Sequence, residues 1–149
     1  MTHRIAVVVF PNFQLLDAAG PLSAFDIAGR AYETHVLAPG GGHIASTAGA
    51  GFACEDLADG PWDTVLVSGG DATRAIHEFA EIVAWLKRVA PTARRVTSVC
   101  SGAYFLAEAG LLDGRRATTH WSRTDHFARR YPQIRLDADR IFIRDGNVW

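Results

Sequence analysis

The sequence predicts an α/β sandwich built on a mostly parallel sheet, and three observations carry that reading. β-Branched apolar runs alternate along the chain with segments of helical spacing. Ile5–Phe10 and Val65–Val67 are apolar throughout, as expected of strands buried on both faces of a parallel sheet. Glycine- and proline-containing breaks separate the elements, with no repeats, low-complexity segments or linkers. At 149 residues and 48% hydrophobic, the chain has material for one domain with a sizeable core and too little for two.

The first strand is predicted over Ile5–Phe10, ended by Pro11-Asn12. Pro21 suits the first turn of a helix through Leu22, Phe25 and Ile27, stopped near Gly29. A second strand follows at His35–Ala38, ended by Pro39 and three glycines, with short extended pieces around Ile44 and Phe52. Val65–Val67 leads into Ser68-Gly69-Gly70-Asp71. Phe79, Ile82, Val83, Leu86 and Val89 recur at helical spacing and predict a helix over 77–90, stopped before Pro91. A strand over 96–99 feeds a helix carrying Tyr104, Phe105 and Leu106. A short helix is predicted from Ser122, as N-cap, to Arg130. The end reads as a hairpin, with Arg140–Arg144 as one strand, Asp145-Gly146-Asn147 as the turn and Val148-Trp149 opening the return strand. A return strand only two residues long predicts a fragment of a longer protein, with the apolar face of Ile141 and Ile143 left bare.

Composition narrows the function classes. A formal net charge of -1 gives no general attraction to nucleic acid or membrane. The arginines between Arg115 and Arg144 are interleaved with Asp113, Asp125, Asp137, Asp139 and Asp145, a solvated mixed-charge surface. Cys54 and Cys100 make no disulfide framework or Cys-x-x-Cys pair. The six-residue apolar run near the start is too short for a signal-peptide core or a membrane span, so a cytoplasmic location is expected. No metal-ligand spacing is present, and no cofactor is expected: Gly40-Gly41-Gly42 lacks the Lys-Ser/Thr of a phosphate loop.

The most informative stretch is Val96-Thr97-Ser98-Val99-Cys100-Ser101-Gly102-Ala103. A strand running straight into a helix forces a sharp turn, and the turn residue projects above the sheet edge. That is nucleophile-elbow geometry with a thiol in place of the usual hydroxyl. The helix N-terminus at Cys100 favours a thiolate and predicts a thiol pKa below the free value. The alternative is a small apolar residue packed in the core. In an open parallel sheet the ligand site lies beyond the carboxyl ends of the strands. The loops after the strands at 5–10, 65–67 and 96–99 open there, so Asp17, Gly69, Gly70 and Cys100 are expected at one cleft. The Gly69 and Gly70 N–H groups are candidates to face an oxyanion built on Cys100, or belong to a plain turn. Asp17 is a candidate to share a hydrogen bond with the Cys100 sulfur, which would raise its carboxyl pKa, or to cap the Pro21 helix. His120, beside Trp121, is either structural or the partner of a Cys–His pair.

Phe10-Pro11, Asp17-x-x-Gly20-Pro21, Val67-Ser68-Gly69-Gly70, Thr97–Ala103 and the run from Leu106 to Trp121 together resemble the ThiJ/PfpI superfamily, the class I glutamine amidotransferase-like fold. The resemblance covers essentially the whole chain. It implies a flavodoxin-like three-layer sandwich with a reactive cysteine at the elbow, an acidic residue beside it, here Asp17, and a homodimer. Two branches fit. One is the N-terminal ligand domain of GlxA-type AraC-family transcriptional regulators; the other is isocyanide hydratase. Tyr131–Asp137 and Ile141–Asn147 look more like the regulator branch. Ser101 stands where the peptidase branch has His, which argues against peptidase activity. The regulator resemblance implies a small-molecule effector (amines, amino-acid derivatives or quaternary ammonium compounds) held near Asp17, Gly69, Gly70, Cys100 and Ser101. It implies DNA binding only through a C-terminal helix-turn-helix region that these residues do not contain. The alternative is an enzyme that hydrates or hydrolyses a small carbon–nitrogen substrate through Cys100.

Overall fold

Strands β1 (His3–Val8) and β2 (Tyr32–Leu37) pair in parallel, with Ile5 opposite Thr34 and Val7 opposite Val36. The computed structural model describes residues 1–149, the side chain of Ala72 excepted. A separate antiparallel hairpin joins β3 (Gly42–Ala45) to β4 (Gly51–Cys54). Strands β5 (Thr64–Val67) and β6 (Arg95–Ser98) complete a main sheet of order β2-β1-β5-β6, parallel throughout. β5 is buried along its whole length, which is why Val65–Val67 reads as an unbroken apolar run. A two-stranded parallel pair, β7 (Arg116–Ala117) with β8 (Arg135–Leu136), lies apart.

Helix α1 (Leu15–Ala28) connects β1 to β2, and α2 (Ala80–Val89) precedes β6. Helix α3 (Ala103–Glu108) follows β6, and α4 (Thr124–Arg130) comes later. Right-handed crossovers in opposite directions from β1 put α1 on one face and α2 on the other. α3 packs against α2, giving the expected three layers. The order of strands reverses between β1 and β5, and it is at such a switch point that open α/β sheets leave a crevice.

The fold class agrees with the sequence, and several boundaries do not. α1 begins at Leu15, so Asp17 sits in its first turn and Pro21 inside it, not at its start. Proline has no N–H, so the Asp17 carbonyl loses its helical donor four residues on. The helix predicted over 77–90 is α over 80–89, preceded by 3-10 turns from Asp71 to Phe79 with a kink at Ala75. Ser122 is not an N-cap: its N–H donates to the His120 ring, and His120 caps a 3-10 turn at Trp121–Arg123 before α4.

The C-terminal hairpin is the largest correction. Arg140–Arg144 is not a strand. Asp145 and Val148 close a tight turn through mutual backbone bonds of 2.9 and 3.1 Å. Val148 then lies parallel to β6 opposite Val96, with Trp149 N–H bonding Val96 O at 3.0 Å. The backbone groups left free on the β6 edge recruit these residues, extending the main sheet. Ile143 is buried, whereas Ile141 is 98% exposed and Phe142 74%.

The core is centred on β1 and β5. Phe10 stacks on Phe79 and Phe105 with ring centroids 5.6 and 5.1 Å apart. α4 is tied to the end of α3 by Glu108, whose carboxylate accepts from the Tyr131 hydroxyl at 2.6 Å and from Arg130 at 2.7 Å. Burial pushes the Glu108 carboxyl up, but these two donors outweigh it and hold the group below its ordinary value. Among the described residues, no helix is long and apolar enough to cross a membrane.

Candidate functional site

The site grows from three chain segments that leave the carboxyl ends of β1, β5 and β6. At β6 the backbone is extended through Val99 (φ -114°, ψ 140°) and then turns at Cys100, whose φ is +58°. A positive φ is costly for a residue with a Cβ, and here it forms the sharp strand-to-helix turn expected of an elbow. Cys100 is half-buried. Residues Cys100–Gly102 form a 3-10 turn that runs into α3. Thr119 holds this turn from outside, its hydroxyl donating to Cys100 O at 3.2 Å.

Asp17 reaches the cysteine from α1. The start of that helix is fixed by the β5 loop: Gln14 N–H donates to Gly69 O at 2.8 Å, and Phe13 bridges Gly70. Asp17 is 8% exposed, and its Oδ2 accepts the Gly69 N–H at 3.0 Å. The carboxyl also lies close enough to the Cys100 thiol for each group to shift the other's titration. Burial pushes the Asp17 carboxyl up, against the pull of the Gly69 N–H, the Cys100 thiol and the nearby His120 charge.

The cysteine does not behave as its helix position predicts. Burial and then the Asp17 charge push the Cys100 thiol up, and the hydrogen bonds from Ser101 oppose this without winning. α3 spans only six residues and is entered through a 3-10 turn, so it offers little dipole to set against a buried carboxyl neighbour. The predicted depression of the thiol pKa is therefore reversed. Both groups are thus displaced upward, Asp17 by burial against the pull of the thiol, and Cys100 by burial together with the Asp17 charge.

The glycines play a different part from the one expected. The Gly69 N–H is spent on Asp17. The Gly70 N–H donates to Ser101 Oγ at 3.0 Å, and that hydroxyl lies 3.3 Å from Gly70 O. Neither amide is left over for an oxyanion, so the predicted oxyanion-hole role is revised to one of packing. A Cβ on Gly69 would stand 2.8 Å from both Asp17 Oδ2 and Ser101 N, and 2.9 Å from Cys100 Cβ. The absence of a side chain there is what lets the three segments meet. Ser101 is 5% exposed and acts as the clasp between the loops after β5 and β6.

On its open side Cys100 borders a cavity of about 540 Å³, whose walls include His120, Trp121, Phe142, Val148 and Trp149, with Arg116, Asp139 and Arg140. Gly69, Gly70, Ser101 and Asp17 are not in this lining; they support the cysteine from behind. The Nδ1 of His120 pairs with Ser122 Oγ at 2.8 Å, and its ring lies 5.4 Å from that of Trp121. His120 thus faces the same cavity as Cys100 while serving a local turn. Sequence reasoning missed the cavity walls contributed by Phe142 and Trp149, since the hairpin reading sent that segment elsewhere. Among the described residues, no group of three or more His, Cys, Asp or Glu is placed to hold a metal ion.

The DJ-1/PfpI family model matches residues 3–149. The chain is 40% identical over 135 residues to an uncharacterized protein in the cpoL 5' region of Streptomyces lividans, covering 87% of this chain and 96% of that one. It is 34% identical over 153 residues to the HTH-type transcriptional regulator GlxA of Rhizobium meliloti, covering 98% of this chain and 47% of the regulator. It is 33% identical over 155 residues to the isonitrile hydratase of Pseudomonas putida, covering 100% of this chain and 64% of the enzyme. Among solved structures, a ThiJ/PfpI family protein from Pseudomonas syringae superposes with a TM-score of 0.87 at 30% identity, covering 99% of this chain and 61% of that one.

Proposed function

We propose that this chain, which belongs to the DJ-1/PfpI family, is the small-molecule-sensing domain of an AraC-family transcriptional regulator. The observation that carries the reading is the condition of the cysteine. Its thiol is pushed up by burial and by Asp17, and the two nearest glycine amides are already bonded within the chain. Such a site can hold a ligand against the sulfur, but it offers no spare glycine amide to an anionic intermediate. The likeness to GlxA over nearly the whole chain supports the same reading.

The effector occupies the cavity beside Cys100, whose volume lies in the range of small-molecule sites. Its walls of Trp121, Phe142 and Trp149 suit the face of an alkylated ammonium group, and Arg116 and Arg140 suit a carboxylate on the same molecule. Asp17, Gly69, Gly70 and Ser101 keep Cys100 in position for that contact. In this reading residues 1–149 are the sensing domain and DNA is contacted by a helix-turn-helix region outside them. A cytoplasmic location and a homodimer belong to the same reading.

A second reading, a Cys100-dependent isocyanide hydratase, is favoured by the likeness to the Pseudomonas putida enzyme and by the Asp17 carboxyl beside the thiol. There the Cys100 sulfur bonds the terminal isocyanide carbon, which takes up the thiol proton by way of Asp17. Water then adds to that carbon and expels the thiol, leaving the N-substituted formamide. His120 is the candidate to orient the water. Cys100→Ser separates the two readings, because a serine hydroxyl lacks thiolate nucleophilicity at neutral pH. The sensor reading expects formamide release no faster than background from either form, and only a modest change in effector affinity. A rate well above background that Cys100→Ser abolishes would overturn it.

A further inference from the structure

At the opposite end of β6 from Cys100, the geometry points to a second binding site, an anion pocket for a phosphate-bearing small molecule. The pocket is an open surface depression of about 470 Å³ lined by Arg94, Arg95, Arg144, Gly146, Asn147 and Trp149. Its construction follows from the sheet extension. Val148 lies opposite Val96 in a parallel pair, so Asn147 and Trp149 come alongside the start of β6, where Arg95 emerges. The 145–148 turn that forms one wall is fixed from behind. Arg115 donates to Asp145 O at 2.8 Å, and the Arg116 N–H donates to Asp145 Oδ2 at 2.8 Å.

Charge is what makes the pocket informative. Arg144 lies over the Trp149 ring, its guanidinium carbon 4.9 Å from the centroid, and donates to Gly146 O at 3.3 Å. Among the described residues, none of the three pocket arginines is within salt-bridge distance of a carboxylate. Two neighbouring acids are otherwise engaged. Asp145 is taken by the Arg116 N–H. Asp63 accepts the Arg4 N–H and pairs with His3, and it feels Arg94 only as a nearby charge. Arg94, Arg95 and Arg144 thus bring three positive charges to the rim of one pocket with no carboxylate paired to any of them among the described residues.

The ligand class follows from the donors. Each guanidinium presents a planar fork that matches two oxygens of a phosphate, and three forks suit a group of charge -2 or more better than a single carboxylate. The concave shape suits a small anion, such as a phosphate ester or pyrophosphate, rather than the convex rod of a duplex.

The test is calorimetric titration of residues 1–149 with pyrophosphate at fixed ionic strength, beside parallel titrations with acetate and with a short DNA duplex. Pyrophosphate is expected to bind at one site, more tightly than either. Arg94→Gln and Arg144→Gln should each weaken it by roughly tenfold while leaving far-UV circular dichroism unchanged. Arg94 is exposed and makes no hydrogen bond among the described residues, so its replacement keeps the test open if Arg144→Gln disturbs the turn. Pyrophosphate binding no stronger than acetate, undiminished binding by a folded Arg94→Gln, or tighter binding of the duplex would each overturn the proposal. Arg94 touches neither Cys100 nor the walls of its cavity, whereas Arg144 packs on Trp149, which lines both pockets, so the Arg94→Gln arm is the one that keeps the outcome independent of the sensor reading.

Discussion

The charge of Asp17 bears directly on the Cys100 thiol, and replacing the carboxyl should be visible at the sulfur. Asp17→Asn keeps an oxygen for the Gly69 N–H and removes the charge that pushes the thiol up. The pH midpoint of iodoacetamide alkylation at Cys100, read by peptide mapping against Cys54, should therefore move down in Asp17→Asn. An unmoved midpoint would mean that Asp17 does not hold the thiol proton. Stability should respond with a definite sign. A carboxyl whose folded pKa lies above its unfolded value contributes stability below the unfolded pKa, and that contribution is lost as pH rises through the folded pKa. Asp17→Asn should melt like the parent near pH 3 and above it at pH 7. Gly69→Ala, by contrast, forces a methyl into contact with Asp17, Ser101 and Cys100, and should cost about 1–3 kcal/mol.

Elements are held in place here by contacts that local sequence signals do not announce. α1 begins at Leu15 with no side-chain cap on Gln14, because backbone bonds from the β5 loop fix its first turn. α4 is docked by the Glu108, Arg130 and Tyr131 cluster, which joins the C-terminal turns of two helices. Tyr131→Phe removes one hydroxyl bond from this cluster and should cost about 1 kcal/mol in denaturant unfolding. Glu108 titrates below its ordinary value, so its contribution is present above the unfolded pKa and lost as pH falls through the folded one. Glu108→Gln should accordingly flatten the acid limb of the stability profile. An unchanged acid limb would show that the cluster is not what secures α4.

Across the whole molecule, several of the most exposed apolar side chains gather beyond β6, around the cavity beside Cys100. Ile141, Phe142 and Trp121 are 98%, 74% and 78% exposed, and all three border the cavity beside Cys100. Contiguous exposed apolar side chains of this size drive association. Residues 1–149 should show concentration-dependent sedimentation, and the double variant Ile141→Ser with Phe142→Ser should weaken that association by roughly tenfold or more, since each buried side chain of this kind contributes about 1.5–3 kcal/mol. A double variant that associates as strongly as the parent would move the contact elsewhere. A variant that associates less but unfolds at a lower temperature would assign these residues to internal packing instead.

The α/β class and the parallel sheet were legible in the sequence, because buried parallel strands are apolar runs. The nearness of Asp17, Gly69, Gly70 and Cys100 was legible too, but not that the first three stand behind the cysteine and outside its cavity. Tertiary structure decided the rest, and each case has the same physical origin. The start of α1 depends on hydrogen bonds to residues more than fifty positions away. The roles of the glycines depend on which acceptors reach their amides, Asp17 for one and Ser101 for the other. The direction of the Cys100 pKa depends on burial and on a carboxylate contributed by another helix, which outweigh the local helix end on which a sequence argument rests. Val148 and Trp149 satisfy backbone groups on the open edge of β6, and no local pattern records that an edge stands free. Periodicity reports which face of an element is buried; partners distant along the chain decide where it begins, what it bonds and which charges it feels.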